Sequence, residues 1–427
     1  MKFNKWIAAG AVLLVGAGAA PWGVGYVTEQ QWQQATDEMN TAQPFVRVST
    51  DDYDRGILGA ETSGTLTLLD PATGDSRQIE FEATVNHGVT GSLMDFRPRN
   101  GWQPEGADWF PENEPRLTLE SRVWGNATIE LNMPVIEFDD TVTGESFRSS
   151  GGLARIDVSG MGEQADLLLV WPELALTTPQ ADIFLENIEL EQEVALLRGS
   201  VWTGSGTLSL ERLAAQSSTS PSVVMEELVI GSVTDAVNDN QDLNSEVTFD
   251  LASMTFEGES YGPHHLGVFV DGLDVDSWNL FSETISELQM LALQEDPDTF
   301  EQQMRLMQEV TNSLQDLVSA GLSVGVRDLS LVTPDGEVSG NLELSHPALT
   351  EAERQELLMI MPRLTGNFNL SLPVALAEND PDMRRQVAPL IKQGLLVQEN
   401  GQLVMRGTLN EMVLDVNGTP MPLPPLL

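Results

Sequence analysis

The sequence predicts an α+β fold dominated by antiparallel β-sheet, behind a single N-terminal transmembrane helix. An apolar run from Trp6 to Val27 contains no charged side chain. Long stretches after it alternate apolar and polar residues with the period of two that is typical of half-buried strands. The region 276–320 has the period of amphipathic helices instead. We expect one or more large antiparallel sheets, an extended curved sheet among the allowed forms, with the helical insert packed on the sheet.

The segment 1–27 is predicted to be a membrane anchor. A spanning helix needs about 20 apolar residues to cross about 30 Å of hydrocarbon. Lys2 and Lys5 precede the run, whereas the far flank is acidic from Glu29 onward. This asymmetry places the N-terminus in the cytoplasm and the body outside it. The alternative is a cleaved signal peptide, because residues 17–19 form an acceptable cleavage site, but the apolar run is longer than a usual signal-peptide core.

The composition excludes several classes of function. Aspartate and glutamate number 65 against 21 lysines and arginines, which gives a net charge of −44. Nucleic acids and anionic lipid headgroups are therefore excluded as electrostatic partners of the bulk surface. The chain has no cysteine, which excludes disulfides, thiol catalysis and zinc–thiolate sites.

Five regions follow from the sequence pattern. After the anchor, residues 28–44 are predicted as a juxtamembrane helix or linker, and 45–275 as a β-rich periplasmic region. The helical insert occupies 276–320, and 321–427 is predicted to contain C-terminal strands, short helices and a Pro-rich tail.

The β-rich region is read from its alternation and its turns. Residues 79–85 alternate strictly, whereas residues 91–115 are rich in Pro, Gly, Asn and Trp and predict a long irregular loop. Later strands are predicted at Leu117–Val123, Ala127–Met133, Leu153–Val158, Leu167–Leu176, Ile183–Leu197, Val201–Leu213, Val223–Ile230, Leu243–Phe256 and His265–Val275.

A Gly-x-(Leu/Phe)-x-Leu pattern recurs along the chain. It begins at Gly64, Gly206, Gly340 and Gly366, with a partial copy at Gly407. The pattern indicates that each glycine marks the bend before a strand and that the alternating leucines face the core.

The insert is predicted to form two helices, one capped by Asp276 or Ser277 and ending at Gln294, the other from Pro297 to Ala320. Because half-buried strands need their apolar face covered, we expect both helices to lie on the sheet. The alternative is a detached arm whose stripe faces a partner chain. The expected covering side chains are Trp278, Phe281, Ile285, Leu288, Met304, Met307, Leu314 and Leu317.

Shorter elements complete the C-terminal region. Helices are predicted at Thr350–Met361, with Glu353 at the capping-box position, and at Pro381–Lys392. Residues 402–409 and 412–416 are predicted as a closing hairpin.

The histidines are the first candidates for chemistry, and they are His87, His264, His265 and His346. Adjacent His264 and His265 would point to opposite faces of a strand, so they cannot chelate one metal ion from there. His87, beside Gly88, is expected to hydrogen-bond in a turn, with proton transfer as the alternative.

Carboxylate pairs and nucleophile motifs add no stronger candidate. The pairs at 51–52 and 139–140 are expected by chance in so acidic a chain. Gly204-Ser205-Gly206 is too short for a nucleophile elbow, and no phosphate-binding loop is present. We therefore predict no catalytic, cofactor or metal site and a protein that is not an enzyme.

Several short motifs occur in a particular order along the chain. They are the basic-then-apolar N-terminus, Tyr53-Asp54-Arg55-Gly56, Asn86-His87-Gly88, the helical region near Trp278, and Asn400-Gly401 with Val416-Asn417-Gly418. In this layout the chain resembles the YdgA family of proteobacterial envelope proteins, whose molecular function is unknown. The resemblance implies a single-span inner-membrane protein with a periplasmic body, and it supplies no catalytic residue.

The motif residues are predicted to be structural. Gly56 is expected in a turn closed to side chains, and Arg55 is expected to pair with a carboxylate. The full set is Tyr53, Arg55, Gly56, His87, Gly88, Asn417 and Gly418.

Two functional hypotheses remain. The first is a non-enzymatic, membrane-anchored periplasmic protein that binds another envelope protein or a second copy of itself through sheet edges or helices. The second is a lipid- or amphiphile-binding protein, loosely similar at the level of the fold to the AsmA-like envelope proteins. A packed sandwich or a helix-covered sheet would favour the first, and a continuous uncovered apolar face would favour the second.

Overall fold

The computed structural model describes residues 3–42, 45–70, 75–292, 299–350, 353 and 360–423. Within these ranges the side chains of 3–19, 38, 41–42, 290–292, 299–303 and 360–361 are outside the description. The chain forms two compact units, Met1–Leu174 and Ala175–Leu427. The predicted division into five regions stays a prediction.

The first unit consists of one long helix and a meander of antiparallel strands. Helix α1 is Phe3–Ala42. The strands are β1 (Val46–Arg55), β2 (Gly59–Leu69), β3 (Ser76–His87), β4 (Gly91–Pro98), β5 (Arg116–Arg122), β6 (Ala127–Met133), β7 (Ile136–Asp140), β8 (Glu145–Ser149), β9 (Gly152–Ser159) and β10 (Gln164–Thr177). Neighbours pair antiparallel from β1 through β6, then β6 with β9 and β9 with β10, while β7 and β8 form a hairpin.

Helix α1 lies across the apolar face of β1–β4 and creates the core of this unit. Trp32 of α1 packs against the rings of Phe81 and Phe96, with centroids 6.4 and 5.7 Å away. Beneath it Val85 and Met94 are completely enclosed, at 1% and 0% exposure. The alternation of the strands therefore has the covering layer that it requires.

The direction of α1 is fixed by contacts along its length. Near its end, the Asn40 side chain accepts from the Val48 amide and donates to the Val48 carbonyl, both at 2.8 Å. Nearer its start, Glu29 pairs with Arg55 at the other end of β1. The helix thus runs antiparallel to β1, and its N-terminal part points past the β1–β2 turn.

No helix in the described part of the chain is long and apolar enough to cross a membrane. The anchor predicted at 1–27 falls largely on residues whose side chains lie outside the description. It stays a prediction.

The second unit is a longer antiparallel meander interrupted by helices. Its strands are β11 (Ala181–Arg198), β12 (Val201–Ser217), β13 (Val223–Val237), β14 (Asp242–Phe256), β15 (Glu259–Tyr261), β16 (His264–Asp274), β17 (Leu322–Thr333), β18 (Gly336–His346), β19 (Thr365–Pro373), β20 (Val397–Glu399), β21 (Gln402–Asn410), β22 (Val413–Val416) and β23 (Thr419–Pro422). Its helices are α2 (Val275–Ala292), α3 (Thr299–Ala320), α4 (Ile360–Arg363), α5 (Val374–Asn379) and α6 (Pro381–Lys392).

Pairing in this unit follows chain order with two short strands at the side. The antiparallel series is β11–β12–β13–β14–β16–β17–β18–β19–β21–β22–β23. Strand β15 pairs with β14, and β20 pairs with β21. The prediction of a β-dominated fold with large antiparallel sheet and few helices is confirmed.

Two local predictions need correction. Residues 91–115 are not one loop, because Gly91–Pro98 forms β4 and only the remainder is irregular. The side chains of this strand point to alternate faces of the sheet, with Ser92 and Met94 buried on one of them. The Gly and Pro residues that follow the strand obscured this pattern in the sequence. The cap of α2 is Asp274, not Asp276 or Ser277, since the Ser277 amide donates to Asp274 Oδ1 at 2.8 Å. The helix predicted at Thr350–Met361 lies mostly outside the described residues.

The predicted covering role of the helical insert is only partly met. Leu317 is buried at 6%, and Trp278 packs with Val201, Leu243 and Val275 at the end of the sheet. Three of the expected covering side chains are instead exposed, namely Met304 (58%), Met307 (55%) and Leu314 (46%). An amphipathic pattern shows that a helix has one apolar face, but it does not show which surface that face contacts.

The repeated glycines lie inside strands, and not at the bends that the pattern predicted. At Gly407 in β21 an added Cβ would lie 2.0 Å from Cε1 of Phe368, its partner on β19. The glycine therefore makes room for the aromatic ring of the neighbouring strand.

Gly407→Ala should lower the free energy of unfolding by about 1–3 kcal/mol, because the methyl group would overlap the Phe368 ring. Gly206→Ala is the matched control, since its Cβ would lie 3.3 Å from the flexible Gln192 side chain. Thermal denaturation of both variants measures the difference. Equal melting temperatures would contradict the close approach of Phe368 to Gly407.

Candidate functional site

The motif residues at 53–56 and 86–88 meet at neighbouring hairpin turns under α1. The Gly56 amide donates to Gly59 O and the Gly88 amide donates to Gly91 O, both at 2.8 Å. The His87 amide donates to Leu58 O at 2.9 Å and joins the two turns. Two turns of the same form are thereby placed side by side at one end of the first sheet.

Gly56 occupies a tight turn that leaves little room for a side chain. A Cβ at this position would lie 3.0 Å from the Gly59 carbonyl oxygen. Gly88 has the same environment, with 3.1 Å to the carbonyl oxygen of Gly91. Each glycine therefore lets its backbone approach the carbonyl oxygen of the residue three positions later, which closes the turn.

Arg55 holds α1 against this end of the sheet. Its Nη1 lies 2.9 Å from Glu29 Oε2, and both side chains are about one-quarter exposed. Its guanidinium also lies over the rings of Trp22 and Tyr26, 5.8 and 5.4 Å from their centroids. The carboxylate partner expected for Arg55 is thus Glu29, and cation–π contacts add to the ion pair.

His87 makes a second connection to α1 through hydroxyl groups. Its Nδ1 lies 2.9 Å from Ser92 Oγ, which in turn lies 2.7 Å from Thr28 Oγ1 of α1. Its Nε2 is buried against Gly25, where a Cβ would lie 2.7 Å away, and has no hydrogen-bond partner among the described residues. Burial, and secondarily the charge of Arg55, lowers the pKa of His87, which favours the neutral imidazole.

Tyr53 lies in the buried cluster beneath the contact between α1 and the sheet. It packs against Ala60, Val85 and Met94, and its buried hydroxyl has no hydrogen-bond partner in the part of the chain that the structure describes. Burial first, and then the nearby charge of Glu29, raises the pKa of Tyr53 to about 12, although Arg55 opposes the shift. The phenol is therefore neutral and serves as packing.

We call the residues Thr28, Glu29, Arg55, His87 and Ser92 the α1 clasp. Ser92 and His87 are within the distance of a nucleophile and its base, but they are only 2% and 7% exposed. Thr28, and not a carboxylate, is the third member of their hydrogen-bonded series. The geometry is that of an attachment between helix and sheet.

Asn417 and Gly418 lie in the second unit and form a separate turn. Both have positive φ, 48° and 81°, as a tight Asn-Gly hairpin between β22 and β23 requires. The Asn417 side chain donates to Leu395 O and Val404 O at 2.9 and 3.0 Å. These two residues therefore hold the C-terminal hairpin and do not join the α1 clasp.

Of the other histidine candidates, His346 is buried at the end of β18, and His264 and His265 occupy opposite faces of β16. His264 pairs across the strands with Leu251 and Leu331, and burial lowers its pKa. His265 lies between Asp250 (2.6 Å) and Asp328 (2.5 Å), and its hydrogen bond to Asp250 raises its pKa. In the described residues no group of three or more His, Asp and Glu side chains could hold a metal ion.

The remaining candidates have local roles. Asp140 Oδ1 accepts from the Val142 amide at 2.8 Å and shapes the β7–β8 turn. The Asp52 carbonyl accepts from Thr62 beside a bulge in β1. Gly204-Ser205-Gly206 is part of β12, paired on both sides, and forms no elbow.

A second feature emerges from the register of the second unit, in rows of apolar residues that cross the strands. The first row is Leu190, Leu208, Ile230, Phe249, Leu266 and Leu329. The second is Ile188, Leu210, Leu228, Leu251, His264 and Leu331. The third is Val247, Val268, Val326, Leu342 and Phe368. We call these three rows the apolar face.

The apolar face is not covered by a packed layer. Every residue of the three rows is at least partly exposed, and Phe249, Val268, Leu331 and Leu342 are 36–38% exposed. Under α1 in the first unit, equivalent residues such as Val85 and Met94 are almost fully enclosed. Because neighbours within a sheet shield one another only from the side, exposure of this size indicates an open sheet surface.

These features define a class of protein that combines one long N-terminal helix with open antiparallel meanders. The chain belongs to the family described as bacterial proteins of unknown function (DUF945), which matches residues 1–424. It is also similar to the protein YdgA of Escherichia coli (strain K12), with 24% identity over 219 residues. That match covers 49% of this chain and 43% of the relative. The resemblance to the YdgA family is thus confirmed, and no solved structure matches the chain.

Sequence reasoning missed the α1 side of the clasp. Gly25, Thr28 and Glu29 fall where the apolar run gives way to polar residues, and they read as a flank of the anchor. The sequence does contain a signal for the sheet side of the clasp. Gly-x-x-Gly occurs at 56–59 and again at 88–91, and it marks two equivalent turns.

Arg55→Ala should destabilise the first unit by about 1–3 kcal/mol, because it removes a charge-assisted hydrogen bond and two cation–π contacts. Arg99→Ala is the control, since Arg99 pairs with Glu80 and Glu82 on the open surface and should cost less than about 1 kcal/mol. Thermal or urea denaturation compares the two. A larger loss in Arg99→Ala would contradict the role given to the clasp.

His87 and His265 should give opposite pH dependence. The lowered pKa of His87 means that its folded form resists protonation, so its contribution to stability is lost as pH falls below about 6.5. The raised pKa of His265 adds stability below about 6.5 that disappears as pH rises through its folded value.

His87→Asn should therefore lose less stability than the wild type between about pH 7 and pH 5, and His265→Asn should lose more. Melting temperatures across this range measure both effects, and each variant serves as the control for the other. Parallel curves for the two variants and the wild type would contradict the assignment.

Proposed function

We propose that the protein is a non-enzymatic, membrane-anchored envelope protein whose second unit binds a lipid or another chain amphiphile on the apolar face. The anchor is the run Trp6–Val27, with the N-terminus in the cytoplasm and the body in the periplasm of the bacterial inner membrane. The observation that supports amphiphile binding is the apolar face itself.

The chemistry of this surface suits a hydrocarbon chain. Its rows are built almost entirely of Leu, Ile, Val and Phe, and His264 within them has a pKa lowered by burial, which favours its uncharged form. The opposite face is polar, with Arg212 paired to Glu226 and His265 between two aspartates. The apolar face can therefore contact an alkyl chain along its length, whereas the polar face of the same sheet offers no apolar surface to it.

Self-association is the second candidate, and a different observation favours it. The helices α2 and α3 expose Leu280, Met304, Met307 and Leu314, each at 46–58%. Flexible methionines on an exposed amphipathic helix are typical of surfaces that meet another protein. A homodimer or a complex with another envelope protein would use these helices, and not the apolar face.

Native mass spectrometry of the full chain extracted in mild detergent separates the candidates. The wild type should retain bound lipid, and Phe249→Glu should reduce the lipid-bound fraction by at least about fivefold, because it puts a charge against the alkyl chain. Thr248→Glu is the control, since Thr248 lies on the opposite face, paired with Gly231 and Gly267.

Three results bear directly on the choice. Loss of lipid in Phe249→Glu with retention in Thr248→Glu supports the proposal. Lipid-free wild type, or equal loss in both variants, contradicts it. A lipid-free dimer that Met307→Glu dissociates would favour self-association instead.

A further inference from the structure

The first unit places four hairpin loops in a row at one end of its sheet. They are residues 56–58, 88–90, 123–126 and 160–163, between β1–β2, β3–β4, β5–β6 and β9–β10. Because alternate turns of an antiparallel meander lie at the same end, these loops are neighbours. We call them the loop rim.

Contacts between the loops join the rim into a continuous surface. The His87 amide donates to Leu58 O at 2.9 Å, and the Val123 amide donates to Thr90 O at 3.0 Å. At the far side, a Cβ on Gly125 would lie 2.6 Å from the Met161 side chain. These contacts connect the first loop to the fourth without a break.

The rim presents apolar side chains to solvent at every loop. These are Ile57 (63% exposed), Leu58 (69%), Val89 (60%), Val123 (40%), Trp124 (56%) and Met161 (83%). Large hydrophobic residues in all four turns at one end of a sheet are unusual, since turns favour Gly, Pro, Asn, Asp and Ser. Because these side chains contribute little to the core, they are suited to contact an apolar environment outside the first unit.

The charge of the rim differs from that of the chain as a whole. Glu163 is its one carboxylate, in a protein with 65 acidic residues. Just behind the rim, Glu29 and Glu120 are paired with Arg55 and Arg122, whereas Asp54 and Glu61 face each other across β1 and β2 and are exposed. An acidic body would be repelled by an anionic membrane surface, and the rim loops themselves add one carboxylate to that repulsion.

Helix α1 shows which apolar phase lies near the rim. It passes from Asn40 at the start of β1 to Glu29, Tyr26 and Trp22 beside Arg55, so its earlier part continues past the loops. That earlier part is the uncharged run from Trp6. Trp22 and Tyr26 are 56% and 55% exposed at the level of the rim, where interfacial aromatic side chains are expected.

We propose that the loop rim is a bilayer-contacting surface that dips into the lipid headgroup region around α1. Ile57, Leu58, Val89, Trp124 and Met161 reach the boundary between headgroups and acyl chains, about 5–10 Å deep. Arg55 and Arg122 lie at the height of the lipid phosphates. The α1 clasp fixes the angle between the helix and the rim, so the first unit is held on the membrane at a fixed angle. The inference rests on the membrane anchoring proposed above.

The absence of cysteine from the chain allows single-cysteine labelling without background. Leu58→Cys, Val89→Cys and Met161→Cys in the full chain would carry an environment-sensitive fluorophore. The protein would be placed in phosphatidylcholine nanodiscs with and without a doxyl-labelled lipid quencher. Labels on the rim should show blue-shifted emission and quenching at least about twofold stronger than a solvent-exposed control, as side chains at the interface require.

Val142→Cys is the matched control. It is an apolar residue that is more exposed than the rim residues, at 92%, in the turn between β7 and β8. That hairpin lies beside the far half of β10, where the Ser150 amide donates to Glu173 O, away from the loop that precedes β10. Leu14→Cys, inside the uncharged run, reports on insertion of the anchor itself.

The outcomes are decisive in both directions. Quenching at Leu58, Val89 and Met161 above that at Val142 supports the rim. Quenching at Leu14 alone would overturn it while leaving the anchor intact, and quenching at none of these sites would overturn both. The lipid-binding test at Phe249 uses the other unit and a different readout, so failure there would leave this result unaffected. Melting temperatures of the labelled variants establish that each is folded.

Discussion

A strand with alternating residues has an apolar side that must be kept from water, and this constraint governs how the chain is built. In the first unit α1 meets it. Trp32 fills the space above Phe81 and Phe96, and the residues beneath become fully buried. The clasp at Arg55 and His87 then fixes where along the strands the helix lies. Because the same helix contains the predicted anchor, the register of helix on sheet also determines how the body would meet a membrane.

The second unit satisfies the constraint only in part. Its enclosed clusters lie at places where helices join the sheet, such as Val201, Leu243 and Val275 at the start of α2. A further cluster, with Leu372, Val387 and Leu403, lies around α5 and α6. Between them, the apolar face depends on lateral contact within the sheet. Full burial of one Leu or Phe is worth about 1.5–3 kcal/mol, so partial exposure of many leaves a substantial free energy that a bound hydrocarbon chain could recover.

The sequence predicted local structure well and long-range contacts poorly, for a physical reason. Period-two alternation depends on neighbours along the chain, and it located β6 at Ala127–Met133 with its observed bounds. The meeting of Arg55 with Glu29, or of His87 with Thr28, depends on where α1 lies on the sheet, which no local pattern specifies. The exposure of Met307 shows the same limit. Its helix was predicted, but the prediction that Met307 covers the sheet was wrong, because the side chain is 55% exposed.

The choice of cation in the clasp follows from its geometry. Arg55 pairs with Glu29 through Nη1, and its guanidinium carbon lies over the rings of Trp22 and Tyr26. An ammonium group is a compact, strongly hydrated charge, and it makes ring contacts of this kind less often than a guanidinium does. At the membrane contact proposed above this difference would be larger, because a guanidinium is less strongly hydrated than an ammonium group. A single arginine thus connects Glu29, Trp22 and Tyr26 of α1 to the end of β1.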